Sequence, residues 1–276
     1  MQFINVGKEN SKDINIHYED HGKGKPVVLI HGWPLNGASW EKQESVLLEA
    51  GFRVITYDRR GFGQSSKPST GYDYDTFVAD LDKLMNALDL QDVILVGFSM
   101  GTGEVTRYIS KYGSKRVDKA VLIASIPPYL LKTSDNPKGV DQAVFDGIEN
   151  GIKEDRLAFL TQFFSDFYNL DENEDKLISK QAVQYSWNVA SRASAIGTLK
   201  CVNAWVTDFR DDVKNIDVPT LIIHGDADRV LPIDASGRRL PEVINDNKYV
   251  EIKDGPHCII QTHTDQVNKA LLDFIS

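Results

Sequence analysis

Apolar residues along this chain fall into short continuous runs that alternate with stretches of helical spacing. Positions 14–18 alternate apolar and polar, as in a half-buried strand, and 26–30 form an unbroken apolar run that ends at His31-Gly32. A continuous run of this kind suits a strand covered on both faces, and further strands are read at 53–58, 93–96, 117–124, 218–224 and 248–252. Between them, helical spacing predicts helices over 40–50, 75–88, 100–112 and 234–240, and a final amphipathic helix. Strands alternating with helices imply right-handed crossovers and a mostly parallel sheet with helices on both faces.

The alternation lapses once. From 126 to 215 the chain carries Pro127-Pro128, a polar loop and helical segments rich in Phe and Trp, with no strand-like run. The sheet pattern brackets this stretch, so 1–125 and 216–276 form the core and 126–215 a helical cap inserted above the strand ends. Open α/β sheets place their sites there, which makes the insertion a candidate lid.

Composition narrows the function classes. The net charge of −9 repels nucleic acid and anionic membrane, and it calls for no partner of either kind. No stretch approaches the roughly 18 apolar residues of a membrane span, and the N-terminal residues lack a signal-peptide pattern. Cys201 and Cys258 fit no metal-ligand spacing and no disulfide scaffold, so a reducing, cytoplasmic setting is expected. The pair Arg59-Arg60 reads as solvated surface or as a salt bridge bracing a turn rather than as a phosphate site.

The chemistry concentrates at three places. Gly97-Phe98-Ser99-Met100-Gly101 follows the run at 93–96 and opens a helix, the context a nucleophile elbow requires. A serine there sits where free helix N–H groups can hold an oxyanion, which makes the Met100 amide one donor. His31-Gly32-Trp33-Pro34 follows an earlier strand in the position that supplies the second donor, the Trp33 N–H. Pro34 has no N–H to give and restricts Trp33 to extended backbone. The indole is placed to wall a substrate pocket, and His31 reads as structural.

Ser99 needs a neutral imidazole oriented by a buried carboxylate. The loop His224-Gly225-Asp226-Ala227-Asp228 and the loop Asp254-Gly255-Pro256-His257 leave later strands in the required order. His257 is preferred as base over His263, which falls at the start of the last helix and is expected to be exposed. Spacing does not separate Asp226 from Asp228. Asp228 lies nearer the apolar Val230-Leu231-Pro232, which favours it as the acid that reaches a buried ring nitrogen. Acyl transfer by these groups calls for no metal and no cofactor. Cys258 beside the base has no elbow and reads as a small apolar filler.

The motifs HGWPLNGASWEKQ, YDRRGFGQSSKP, GYDYDTFVADL, LVGFSMGTGEVTRYI, IDVPTLIIHGDADRVLP and GPHCI resemble, nearly end to end, the α/β-hydrolase family of aryl esterases and cofactor-free haloperoxidases. The resemblance implies the α/β-hydrolase fold with an eight-stranded sheet. It implies a Ser99-Asp228-His257 triad, selecting Asp228, and an oxyanion hole from Trp33 and Met100. Family members hydrolyse small aryl or alkyl esters and in some cases lactones or lactams. Many also form peracids from carboxylic acids and peroxide, and the peracid oxidises halide. Pro34 matches the residue that perhydrolytic members tend to carry, so perhydrolase activity is expected. Homo-oligomers are common among such proteins.

Two positions depart from the family pattern. Thr102 stands for a glycine and Cys258 for a smaller residue, and either side chain is expected to narrow the site. Phe145, Phe159, Phe163, Phe164, Phe167 and Trp187 in the insertion suit an apolar acyl pocket like that of the family, but aromatics at helical spacing more often serve plain packing. Phe159, Phe163 and Val230, with Trp33, are the candidate substrate-binding walls. A lactonase or γ-lactamase would use the same triad, and a ligand receptor of this fold would show little turnover. Ser99 argues against the dehalogenases and epoxide hydrolases of the fold, which use a carboxylate nucleophile.

Overall fold

The computed structural model describes residues 2–276. Eight strands form one sheet: β1 (Gln2–Glu9), β2 (Lys12–Gly22), β3 (Pro26–Ile30), β4 (Arg53–Tyr57), β5 (Val93–Phe98), β6 (Val117–Ile123), β7 (Thr220–Gly225) and β8 (Asn247–Ile252), in spatial order β1-β2-β4-β3-β5-β6-β7-β8. The pairs β1/β2 and β2/β4 are antiparallel and the rest parallel. The α/β-hydrolase arrangement expected from the sequence is therefore present.

The burial follows the pattern of runs. Every residue of β5 and β7 is buried, because helices cover both faces of the central strands. Strand β1 was not among the predicted elements. It lies at the sheet edge with only Val6 buried, and so carries no apolar run to announce it. Four helices accompany the sheet: α1 (Glu41–Glu49) packs on α9 (Thr264–Ile275), and α2 (Tyr74–Ala87) packs on α3 (Met100–Tyr112). The helix expected over 234–240 is instead two 3₁₀ turns, Ile233–Ala235 and Gly237–Glu242. Ser236 between them leaves helical geometry and Pro241 lacks the N–H an α-helix would use.

Between β6 and β7 the chain runs through α4 (Gln142–Tyr168), α5 (Leu170–Asn173), α6 (Lys180–Ser191) and α7 (Ala195–Trp205). Asp155 interrupts α4 with extended backbone, and its carboxylate accepts from the N–H groups of Leu157 and Ala158, recapping the second half. That half sends Phe163, Phe164, Phe167 and Tyr168 into an aromatic cluster against the core. Among the described residues no helix is long and apolar enough to cross a membrane. A short α8 (Ile259–Thr262) precedes the final helix.

Candidate active site

Strand β5 delivers Gly97 and Phe98, and the chain reverses at Ser99 into α3. Ser99 has φ 52° and ψ −119°, a left-handed conformation that costs a non-glycine residue of order 1–3 kcal/mol. The surrounding fold holds it there: Ser99 N donates to Ile123 O at 2.8 Å, and Thr102 N donates to Ser99 O at 2.9 Å. The flanking glycines make the turn possible. A Cβ at Gly97 would meet the backbone of Gly101 and Thr102, and one at Gly101 would meet the Ile30 carbonyl.

Parallel strands β7 and β8 bring two more loops to the same edge. Gly225 and Gly255 let them pass in close contact, and Ala227 N donates to Gly255 O at 3.1 Å. As a result His257 Nε2 lies 2.9 Å from Ser99 Oγ, and its Nδ1 lies 2.7 Å from Asp228 Oδ2. All three residues are buried. The end of α4 braces both loops: Cys258 N donates to Phe167 O at 3.0 Å, and Asn169 donates to Ala227 O at 2.8 Å. The Phe167 and Phe98 rings lie 5.1 and 5.3 Å from the His257 ring.

Asp228 has no free lone pair facing the protein. Oδ1 accepts from the Val230 and Leu231 N–H groups at 2.9 and 2.7 Å, and Oδ2 accepts from His257 and from His224 Nε2, the latter at 3.1 Å. Burial alone would raise this carboxyl's pKa, but the two imidazoles overcome it and hold Asp228 well below the usual carboxylate range. The sequence assigns His224 no role; the structure places it behind the carboxylate. Ser125 N–H donates to its Nδ1 at 3.3 Å, so its proton sits on Nε2 and points at Asp228. Asp226, two positions earlier, is exposed, and its main-chain N–H bonds Ile252 O at 3.0 Å.

His263 lies outside this chain of groups. It is half-buried rather than exposed, and burial lowers its pKa. His31 is fully buried and bonded to Gly32 O and Arg59 N, a structural setting.

The Trp33 and Met100 amides, the two oxyanion candidates, find no backbone acceptor among the described residues. Met100 is the first residue of α3, where an N–H has no partner within the helix. Trp33 is 2% exposed. Its indole donates to Thr198 O at 3.2 Å and meets the rings of Phe163 and Trp205 edge-on, each at 4.9 Å.

These rings wall a cavity of about 230 Å³ that opens onto Ser99. Trp33, Phe159, Phe163 and Val230 all line it, and so do Phe145, Leu130 and Trp205, which the sequence pattern did not single out as walls. Trp205 could have been found as the last tryptophan before the sheet resumes. Phe164, Phe167 and Trp187 do not border the cavity, and neither do Thr102 and Cys258. The expected narrowing by the last two therefore does not occur. Thr102 turns its hydroxyl to Ser99 O at 2.6 Å and receives Ile126 N at 3.0 Å. Cys258 is buried, and burial pushes its thiol pKa up, as suits a filler.

Arg59 and Arg60 are not solvated surface. Both are buried, Arg59 against Glu104 and Arg60 in a two-pronged pair with Asp80 at 2.6 and 2.7 Å, so the turn-bracing reading is the one that stands. Among the described residues Glu19, His21 and Glu44 bring potential metal-ligand atoms within 4.8 Å of one another, but none of them borders the Ser99 cavity.

Residues 25–264 match the α/β hydrolase fold family. A chain from Synechocystis named as a candidate non-heme chloroperoxidase is 63% identical over the whole of both chains. A bifunctional esterase/perhydrolase from Acinetobacter calcoaceticus is 35% identical, covering 98% of this chain and 99% of its own. The crystal structure of a bromoperoxidase from Bacillus anthracis superposes with a TM-score of 0.96 at 50% identity, covering 99% of each chain. On this similarity, which spans the sheet, the helical insertion and every loop of the site, the chain belongs to the α/β-hydrolase fold family, in its group of non-heme haloperoxidases and esterase/perhydrolases.

Proposed function

We propose that the protein is a serine hydrolase that cleaves small aryl or alkyl carboxylic esters through an acyl-enzyme on Ser99, and that it passes the acyl group to hydrogen peroxide as well as to water. The observation that carries this reading is the unbroken chain from Ser99 Oγ through His257 to Asp228, 2.9 and 2.7 Å, ending in an apolar cavity.

In the reaction, His257 Nε2 takes the Ser99 proton as Oγ bonds to the ester carbonyl carbon. The carbonyl electron pair moves to oxygen, where the Trp33 and Met100 N–H groups receive the developing charge. Collapse of the intermediate breaks the bond to the alcohol, which leaves with the proton from His257. Water then attacks the acyl carbon with His257 as base and releases the acid. When hydrogen peroxide attacks instead, the product is a peracid, which oxidises halide outside the protein.

Phe159, Phe163 and Val230 are read as walls for the substrate's apolar part, and the helical insertion as the cap that closes over it. The names of the relatives support both halves of the activity. Free thiols at Cys201 and Cys258 support a reducing compartment, the cytoplasm. The test is Ser99→Ala assayed with p-nitrophenyl acetate, and with acetate, peroxide and bromide. Both activities are expected to fall by about 10⁴-fold or more with the circular dichroism unchanged. Wild-type turnover in the variant would overturn the assignment.

A further inference from the structure

We propose that His31 is a positioning residue for the oxyanion hole: its ring, held by the Arg59 main chain on one side, clamps the Gly32–Trp33 peptide unit on the other and aims the Trp33 N–H at the oxygen that becomes negative. This rests on the reading of Ser99 and Trp33 given above.

The proton positions follow from the partners. Arg59 N–H donates to His31 Nε2 at 3.0 Å, so Nε2 carries a lone pair and Nδ1 carries the proton. Nδ1–H then donates to Gly32 O at 2.8 Å. The ring has no exposure to water, and burial together with the Arg59 guanidinium pushes its pKa well below the ordinary histidine value, which keeps it neutral in this role.

The bond to Gly32 O acts on Trp33 because both belong to one peptide unit. That unit is not among the cis bonds of the chain, so its C=O and N–H are coplanar and point in opposite directions. Fixing the oxygen fixes the direction of the N–H. Donation to the carbonyl also polarises the unit and strengthens the N–H as a donor. Leu35 N–H shares Gly32 O at 3.1 Å, so the peptide keeps one clamp when the ring is removed.

The ring is itself anchored to the helix that carries the other donor. The Arg59 guanidinium donates to His31 O at 2.7 Å and to the carboxylate of Glu104, which also accepts from the Tyr57 hydroxyl. Glu104 lies in α3, four residues after Met100. A single buried network thus ties the Trp33 amide to the Met100 amide, and His31 does not border the substrate cavity.

The experiment compares His31→Leu, which removes both ring contacts, with His31→Asn, which places an amide N–H near the Nδ1 position and leaves Arg59 N–H unpaired. For p-nitrophenyl acetate, kcat of the Leu variant is expected to fall by about 10- to 100-fold, the scale of a misplaced catalytic group, with KM within about threefold. The Asn variant is expected to recover about tenfold of that loss. Affinity for an aryl trifluoromethyl ketone, which forms an oxyanion on the serine, should fall in step with kcat/KM.

A folded Leu variant with wild-type kcat, a loss carried by KM alone, or an Asn variant no better than Leu overturns the proposal. Should neither variant fold, ¹⁵N shifts of the wild-type ring decide: a protonated Nδ1 supports it and a protonated Nε2 overturns it. Ser99→Ala is assayed in parallel. If that variant still turns over, the underlying assignment fails; if it is inactive while His31→Leu is unimpaired, only the positioning role fails.

Discussion

Replacing Asp228 by Asn keeps the shape of the side chain and inverts one of its hydrogen-bonding ends. The Oδ1 position faces two main-chain N–H groups, Val230 and Leu231, which can only donate. The amide oxygen of Asn must take that place, because an NH₂ there would oppose two fixed donors in a buried site, at about 1–3 kcal/mol for each group left unpaired. The NH₂ then falls at the Oδ2 position, facing His257 Nδ1 and His224 Nε2. Imidazole can respond by moving its proton. His257 goes over to the tautomer with Nδ1 as acceptor and Nε2 protonated, and that nitrogen then has no lone pair for the Ser99 proton.

The expected loss in kcat is about 10⁴-fold, the cost of a wrong tautomer in a serine triad of intact geometry. Initial rates with p-nitrophenyl acetate measure it, with circular dichroism to confirm folding. Asp226→Asn is the control. Its side chain is exposed and only its main chain bonds the neighbouring strand, so its rate should stay within about twofold of wild type. An Asp228→Asn variant retaining a tenth of wild-type kcat, or an inactive but folded Asp226→Asn, would refute the tautomer argument.

Phe163→Ala should enlarge the cavity beside Trp33 and shift the preference toward bulkier acyl groups, raising kcat/KM for p-nitrophenyl octanoate relative to acetate by roughly 10-fold; an unchanged ratio would remove Phe163 from the pocket. Arg60→Leu strands a buried Asp80 and should cost about 3–5 kcal/mol in urea denaturation, most of it recovered in the double variant with Asp80→Leu. Burial pushes the Cys201 thiol up to about 12 and that of Cys258 further, so at pH 8 neither should react with an aromatic disulfide reagent until the protein unfolds, and activity should survive the treatment.

The parts of the fold that could be read in the sequence are those whose local pattern and global role coincide. Strand β5 is apolar throughout because both its faces are covered, and the same chain must break sharply at Ser99, so run, glycines and helix appear together. β1 escapes because an edge strand with a single buried residue needs no apolar pattern. The segment at 234–240 has helical spacing, but Pro241 and the kink at Ser236 reduce it to 3₁₀ turns, a competition that spacing does not register.

In the site, the candidate triad residues were readable because each follows a strand end. His224 was not, because its importance lies in a contact four residues along the chain that exists only once the β7 loop has turned back on itself. For a related reason the sequence leaves Arg59 open between solvated surface and a turn-bracing salt bridge. Its partner Glu104 is distant in sequence, and nothing in either neighbourhood declares that the two will be buried together. The cavity walls Leu130 and Phe145 come from the insertion, where apolar residues serve core packing and cavity lining alike and only the three-dimensional arrangement separates the two uses.

The most direct test of the central claim is to locate the covalent intermediate. The protein, mixed with a p-nitrophenyl phosphonate ester, should release one equivalent of nitrophenolate and gain one phosphonyl group. Mass spectrometry of the digest should place that group on Ser99, and the Ser99→Ala protein should gain none. Label on any other residue, or an active enzyme that takes up no label, would contradict a serine acyl-enzyme as the basis of its activity.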